Sequence, residues 1–481
     1  MSIAIVWFRR DLRLTDQPAL QAALARYAQV VPVYIHAPDE EDEWAPGGAQ
    51  RWWLHHSLMA LGADLEAVGS RLTIRCGPSE DALADLLETT GAEAVFWNRL
   101  YEPAVIERDR RIKAWLRERG IEASSSNAAL LCEPWQIETG QGNPYRVFTP
   151  FYKRLHARGL ADSVTAAPTR IPTPPELPPG EDLATLALLP HIRWDTGLAA
   201  TWQPGEAGAQ RRLERFCDEL AMAYHEAREY PAQDGTSALS PHLHWGEIGP
   251  RQAVRALHQR GLDAASGGST FLSELAWREF AHHLLYHFPH TPVRPLNERF
   301  EAFPWRDAQG AAAGELRAWQ TGRTGIPMVD AGMRELWYSG WMHNRIRMVV
   351  ASFLTKNLRL HWLEGARWFW DTLVDADLAS NTLGWQWAGG CGADAAPYFR
   401  IFNPVRQGER FDPNGHYVRT WIPEIAGLPD RYIHAPWQAP AKVRAAIGLE
   451  LGQDYPEPIV DLQASRRAAL EAFEQLRSTA P

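Results

Sequence analysis

The sequence predicts an α/β N-terminal domain built on a parallel sheet, followed by an all-helical C-terminal domain. Three observations predict it. Strand-like and helix-like patterns alternate from Ile3 to Arg119. A proline-rich stretch, TAAPTRIPTPPELPPG from Thr165 to Gly180, then interrupts the chain. From about Pro204 onward apolar residues recur at helical spacing almost throughout.

The elements follow in order. Ile3 to Phe8 and Val30 to His36 are β-branched or aromatic runs and read as strands. Ala49 to Val68 has helical periodicity. Arg71 to Cys76 is extended, Ser79 to Thr90 helical and Glu93 to Trp97 extended. Pro103 to Arg119 is helical, with proline at its first position. Strands separated by helices imply parallel pairing through helical crossovers. No GxGxxG follows the first strand, so the usual dinucleotide fingerprint is absent. The stretch Thr165 to Gly180 holds too many prolines for a helix or a central strand, and reads as an ordered or semi-rigid linker. The expected division is residues 1–130, a connection over 131–203, and a helical domain over 204–481.

Bulk properties exclude several classes. A chain of 481 residues exceeds what one core usually serves. Arg9, Arg10, Asp11 and Arg13 interrupt the first apolar run, so no signal peptide is read there. No apolar stretch is long enough to cross a membrane. Cys76, Cys132, Cys217 and Cys391 are scattered without metal or CxxC spacing, which points to a reduced, cytoplasmic protein with no metal. The net charge of −9 argues against nucleic acid only weakly, because binding needs a local basic patch. Nearly all basic residues are arginines, which suit phosphates, although genomic base composition explains the bias equally well.

Thr324 to Pro404 is the most informative stretch. Trp, Asn and Arg stand at helical spacing where an ordinary core would carry Leu, Ile and Val. Such a mixture suits a large, planar, polar cofactor. Within it, a helix starting near Trp341 would place Trp341, Asn344, Arg345, Met348 and Ser352 on one face and Ile346, Val349, Val350 and Phe353 on the other. An amphipathic surface helix is the competing reading. In DADLASNTLGWQWAGG, Asp375 and Asp377 could accept hydrogen bonds from a ribose or ring, pair with Arg347, or cap a helix. Gly384, Gly389, Gly390 and Gly392 allow close approach of a flat ligand, though turns need such glycines more often.

Two upstream segments add to this. In TFLSELAWREFAHHLLYHF, with a cap expected at Ser269 or Thr270, Glu274, Trp277 and Arg278 share one helix face. From spacing alone, an intrahelical Glu274–Arg278 ion pair is the plainer reading. DGTSALSPHL, Asp234 to Leu243, offers hydroxyls and amides just before a helix, either a diphosphate cradle or a capped loop.

These segments, in this order, resemble the photolyase/cryptochrome family. IVWFRRDLRLTDQPAL, GGAQRWWLHHSL, EPW, FTPF, DGTSALS, FLSELAWREF, TGIPMVDAGMRELWYSGWMHNRIRM and WQWAGGCGADAAPYFRIFNP are similar to family landmarks along nearly the whole chain. The resemblance implies a Rossmann-like N-terminal domain and an all-α domain that binds FAD in a folded conformation. It also implies FAD-binding roles for Tyr224, Thr236, Ser237, Ala238, Leu239, Ser240, Phe271, Trp341, Asn344, Arg347, Asp375, Asp377 and Asn381. Phe271 stands where some relatives carry Trp.

The branch follows residue by residue. Asn381 matches the position facing flavin N5, where plant cryptochromes carry Asp and animal ones usually Cys. Glu274, Trp277, Asn344, Met348 and Trp387 match the pattern of enzymes that repair cyclobutane pyrimidine dimers. The paired histidines of (6-4) photolyases are not evident. PDEEDEWAPGGAQRWW and LLCEPW resemble the bacterial branch nearest plant cryptochromes. The resemblance therefore implies a monomeric enzyme acting on dimer-containing DNA. Arg228, Arg278, Arg345 and Gln407 would contact the DNA, with Glu274, Trp277, Asn344 and Trp387 at the lesion. A protonated Glu274, which calls for burial, could donate to a pyrimidine carbonyl. Trp385, Trp362 and Trp305 match a chain of tryptophans leading from the flavin to the surface. Some relatives hold a folate antenna through Asn and Glu at positions here occupied by Ala104 and Val105. A methenyltetrahydrofolate bound otherwise is expected ahead of a deazaflavin, and an empty groove remains open. The rival readings are a blue-light photoreceptor that binds FAD without repair and a flavin electron-transfer protein.

Overall fold

In a computed structural model, which describes residues 2–395 and 399–478, five strands form one parallel sheet. They are β1 (Ile3–Phe8), β2 (Gln29–His36), β3 (Thr73–Cys76), β4 (Ala94–Asn98) and β5 (Glu122–Ser126), in the order β3-β2-β1-β4-β5. Register is set by apolar pairs such as Ile5 opposite Val31 and Val95. The central strands are buried on both faces, which is why they read as continuous apolar runs rather than alternating ones. One face packs Ile5, Trp7, Val33 and Trp97 against Leu83, Leu86, Ile112 and Leu116 of the flanking helices Ser79–Thr90 and Pro103–Glu118. Gly91, at φ 64°, ends the first of these in the left-handed region that glycine enters without strain.

Two elements of this part lie outside the sequence expectation. The helix Pro18–Arg26 begins inside a motif, with Gln17 accepting from the amides of Ala19 and Leu20. Strand β5, EASSS, sits at the sheet edge and is only half-buried, so it carries no apolar run to reveal it.

The proline-rich stretch is ordered by hydrogen bonds along the sheet domain. Ile171 N donates to Val68 O, Val30 N to Pro172 O and Glu181 N to Ile74 O, each within 3.0 Å. Ile171 is buried. Upstream, the expected connection also contains a helix, Phe148–Arg158, with Pro150 in its first turn, where the missing N–H costs nothing.

The rest of the chain is helical, as expected. It forms two compact units that do not follow chain order. One comprises residues 1–222, 237–289 and 374–378; the other comprises 223–236, 290–373 and 379–481. In the first unit the long helix Ser266–His287 starts at Ser266, ahead of the expected cap. Ser269 and Thr270 instead bond back to Ser266 O from inside the helix. Gly267 allows this start, because a Cβ there would lie 1.8 Å from Ala221 O. In the second unit the helix carrying Met348 runs Asn344–Ser352. Trp341 therefore precedes that helix, contrary to expectation. Ser352 is buried and accepts from Phe402 N at 3.1 Å, so it does not share an open face with Asn344. Of the quoted motif WQWAGGCGADAAPYFRIFNP, residues 396–398 lie outside the described residues.

Candidate functional site

In the first unit, the Ser266–His287 helix presents three of the expected residues. Glu274, Trp277 and Arg278 are all partly buried. Trp277 lies flat on Phe148, with ring centroids 3.7 Å apart and planes at 9°. Arg278 does not serve the intrahelical pair that spacing suggested. Its guanidinium donates to Ala129 O at 2.6 Å and stands 3.8 Å from Glu279. Phe271 is buried against Phe216, ring centroids 4.5 Å apart.

The Ser237–Ser240 loop belongs to the same unit and leads into the short helix Ser240–His244. Ala238 sits at φ 50°, a backbone strain that a non-glycine residue adopts only when its surroundings impose it. Ser240 Oγ donates to Asp375 Oδ2 at 2.6 Å. Asp377 lies 3.4 Å from His282 Nε2 and 3.8 Å from His244 Nδ1. Burial alone would push the Asp377 carboxyl up. The charge on His282 and hydrogen bonds from both histidines hold it well below the usual carboxylate range. Burial likewise opposes a charged His282, yet Asp377 raises it, so the two form a buried ion pair. Neither histidine stood out in the sequence, because HH in an apolar helix reads as core.

A cleft opens at the carboxyl ends of β1 and β2, beside the point where strand order reverses between β1 and β4. Open α/β sheets bind ligands at such switch points. The cleft encloses about 550 Å³ including its mouth, and Arg9, Arg10, Tyr34, His36, Glu41 and Trp245 line it. Burial pushes the Glu41 carboxyl up.

In the second unit, His343 caps the Asn344–Ser352 helix, its Nδ1 accepting from Arg345 N at 3.1 Å. Asn344 is exposed and Met348 partly buried. Arg345 ion-pairs with Glu229 and lies over the Phe411 ring at 4.2 Å. Arg347 donates from Nε to Met342 O at 2.8 Å and reaches over Trp341 at 6.0 Å. Arg228 lies over Tyr224, which is buried. Asn381 gives its Nδ2 to Ala366 O at 3.0 Å. Trp387 is partly buried, 6.3 Å from Phe402, and Gln407 is partly buried on the Pro404–Phe411 helix. Thr236 is partly buried at the end of its segment.

The expected electron-transfer tryptophans belong to this unit too. Trp385 is buried against Phe369 (4.9 Å) and Trp319 (6.0 Å). It fits only because residue 365 is glycine: a Cβ there would lie 2.0 Å from Trp385 Cη2. A glycine inside the Trp362–Thr372 helix costs helix stability, and that cost was the sequence signal for a close approach. His361 bridges the outer pair, 5.5 Å from Trp362 and 5.2 Å from Trp305. The WAGGCG glycines lie close to their own chain. A Cβ at Gly392 would come within 2.7 Å of Gln386 Cβ, and Gly390 turns at φ 81°. They serve the turn, while Gly384 has open space around it.

The donor set suits a dinucleotide. Thr236, Ser237 and Ser240 offer hydroxyls, Asp375 accepts from hydroxyls, Arg347 carries fixed positive charge and Trp341 an aromatic face. No group of residues able to hold a metal ion occurs among the described residues, and no helix of the described residues is long and apolar enough to cross a membrane.

Comparison with known proteins agrees with this chemistry. Residues 4–175 match the family model described as DNA photolyase, and residues 271–475 match the FAD binding domain of DNA photolyase. The chain is 46% identical over 477 residues to a deoxyribodipyrimidine photo-lyase of Agrobacterium fabrum, covering 99% of this chain and 98% of the relative. It is 39% identical to cryptochrome-1 of Arabidopsis thaliana, over 98% of this chain and 70% of that one. The crystal structure of a bacterial class III photolyase from Agrobacterium tumefaciens superposes with a TM-score of 0.95 at 45% identity, over 100% of this chain and 98% of that chain. A five-stranded parallel α/β domain, a helical C-terminal region and whole-length identity at this level make the chain a member of the photolyase/cryptochrome family.

Proposed function

We propose that this protein is a light-dependent DNA repair enzyme that splits cyclobutane pyrimidine dimers with FAD, a deoxyribodipyrimidine photo-lyase. Its whole-length likeness to such an enzyme carries the reading. FAD, when bound and reduced, supplies an electron to the dimer under near-UV or blue light and takes it back after the ring opens. The residues proposed to hold it are Tyr224, Thr236, Ser237, Ala238, Leu239, Ser240, Phe271, Trp341, Asn344, Arg347, Asp375, Asp377 and Asn381. Among these Asp377 acts indirectly, since His282 and His244 already claim its carboxylate.

Photolyases are base-flipping enzymes, and a dimer stacks poorly, so its extrusion is cheap. Trp277 and Trp387 receive the extruded dimer by stacking and apolar contact. Glu274 and Asn344 hydrogen-bond its polar edge, and Met348 fills beside it. Arg228, Arg345 and Gln407 hold the flanking backbone. Arg278 contributes field rather than a free donor, because backbone carbonyls take its guanidinium.

The cleft at β1 and β2 is the proposed antenna site. Its size is in the ordinary range for a small ligand, and its arginines suit the carboxylates of methenyltetrahydrofolate, which we place ahead of a deazaflavin. We further propose a monomer working in the cytoplasm, with residues 1–130, 131–203 and 204–481 as antenna domain, connection and catalytic domain.

The test is repair of defined oligonucleotides under blue light by enzyme with fully reduced flavin. Reversal of cyclobutane dimers and negligible reversal of (6-4) products are expected. No reversal of either overturns the reading and favours the photoreceptor alternative, to which the 39% identity with a plant cryptochrome lends weight.

A further inference from the structure

We propose that Glu335, braced by Tyr417, is a positioning residue that fixes the start of the Asn344–Ser352 helix and thereby sets how Asn344 and Arg345 meet DNA. The inference rests on the repair reading for its ligand, but not for its geometry.

Glu335 lies on the buried side of the helix Pro327–Ser339. Tyr417 Oη donates to its Oε2 at 2.6 Å. The backbone N–H of His343 donates to the same carboxylate. His343 is the residue whose ring caps the next helix. Its Nδ1 accepts from Arg345 N, and Arg345 is thereby locked one residue into the helix. The turn between the two helices is tied from the same side: Ser339 Oγ donates to Glu335 O at 2.8 Å and accepts from Trp341 N at 3.2 Å. The carboxylate thus holds the cap, and the cap holds the helix start. A helix start has orphan amides and no other source of order than such partners.

The carboxylate is also the group here that titrates in the working range. Burial raises it; the Tyr417 hydroxyl, the His343 amide and the Arg347 charge pull it back, leaving it at about 7. The helices packed on Pro327–Ser339 bring a short set of charges. Asn344–Ser352 brings Arg347 and a neutral His343; His416–Trp421 brings Tyr417. Pro404–Phe411 leads into Asp412, which acts on Tyr417 and faces His434. Ala313–Gln320 brings Glu315, already paired with Arg306 at 2.7 Å. Ionised, Glu335 accepts both hydrogen bonds at full strength. Protonated, it accepts weakly and leaves Arg347 without its opposing charge, and the cap loosens.

Three proteins decide it: the parent, Glu335→Gln and Tyr417→Phe, each with FAD bound. The first readout is dark affinity for a dimer-containing duplex from pH about 6 to about 8. Parent affinity should rise with pH by about fivefold, the low end for two coupled groups. Glu335→Gln should be flat. Tyr417→Phe removes a hydrogen bond that favours the carboxylate, so its curve should keep its shape with the midpoint moved to higher pH. The second readout is amide exchange at residues 343–347, which needs no DNA. Relative to Glu335→Gln, the parent should lose protection there as pH falls through the same range. A flat parent, or a Glu335→Gln curve that follows the parent, overturns the inference. A parent that binds no dimer DNA overturns the repair reading instead, and the exchange readout then decides this one alone.

Discussion

The indole of Trp277 is seated on the ring of Phe148, 3.7 Å between centroids and 9° from parallel, while Phe280 meets it edge-on at 5.9 Å. Phe148 in turn stacks on Tyr152 at 13°. One face of the proposed lesion tryptophan is thus held rigid before any DNA arrives, which reduces the entropy lost when a base stacks on it. Trp277→Ala should weaken dimer binding by roughly 1–3 kcal/mol, the scale of one base–aromatic stack. Phe148→Leu should lower dimer affinity less and leave affinity for undamaged duplex unchanged. Competition binding with both duplexes measures this; unchanged dimer affinity in Trp277→Ala would remove that residue from the pocket.

Binding should weaken steeply with added salt despite the net charge of −9. Each phosphate contacted by an arginine releases condensed counterions, so log affinity falls linearly with log salt. Arg228→Ala should reduce that slope by about one counterion contact. A flat response in the parent protein would mean that no basic groove is in use.

Trp385→Phe should nearly abolish light-driven reduction of oxidised FAD in the presence of an external reductant. It should leave repair by chemically pre-reduced enzyme largely intact, because repair needs only flavin and dimer. Photoreduction at the parent rate would show that electrons enter elsewhere. The ring sequence Trp362, His361, Trp305 adds that His361→Leu should slow the process less than Trp385→Phe does.

Gly365→Ala should be costly although it adds one methyl group. That methyl would meet Trp385 Cη2 at 2.0 Å, so the indole or its helix must shift. Overpacking of this kind costs about 1–3 kcal/mol. Denaturant unfolding gives the loss, and displacement of Trp385 should slow photoreduction in the folded fraction. Parent-like stability would mean the indole has another place to go.

Acid should destabilise the fold well above the range of ordinary carboxylates. His283, His343 and His361 are each pushed down to about 4 from an ordinary 6.5, chiefly by burial. Their folded values lie below the unfolded ones, so the unfolded chain binds more protons between those limits. The stability they contribute is present above pH 6.5 and lost as pH falls toward 4. His283 accepts from Tyr145 N and bonds Pro134 O, which fixes it neutral. His283→Gln should flatten the fall of melting temperature over this window; an unchanged slope would assign the effect to other groups.

The sequence by itself determined the layered N-terminal sheet domain and the helical remainder. Both follow from local periodicity, legible within a few turns or strands: IAIVWF and AVFWN are apolar throughout because they are buried on both faces. It also determined which residue types are present for a planar polar ligand and a nucleic acid, since Trp277, Asn344, Arg347 and Asn381 are wrong for a plain core. Only the tertiary structure decided what those residues touch. Asp377 had three readings in sequence and is claimed by His282 and His244, which come from separate segments. Arg278 left its helical neighbour for Ala129 O. Strand β5 exists because β4 offers it an edge, not because EASSS favours extension. Phe148, Gly365 and Glu335 acquired their importance from partners distant in the chain: Trp277, Trp385 and Tyr417. Periodicity encodes which face of an element is buried. The identity of the neighbour across that face is a property of packing, and packing exists only once the whole chain has closed.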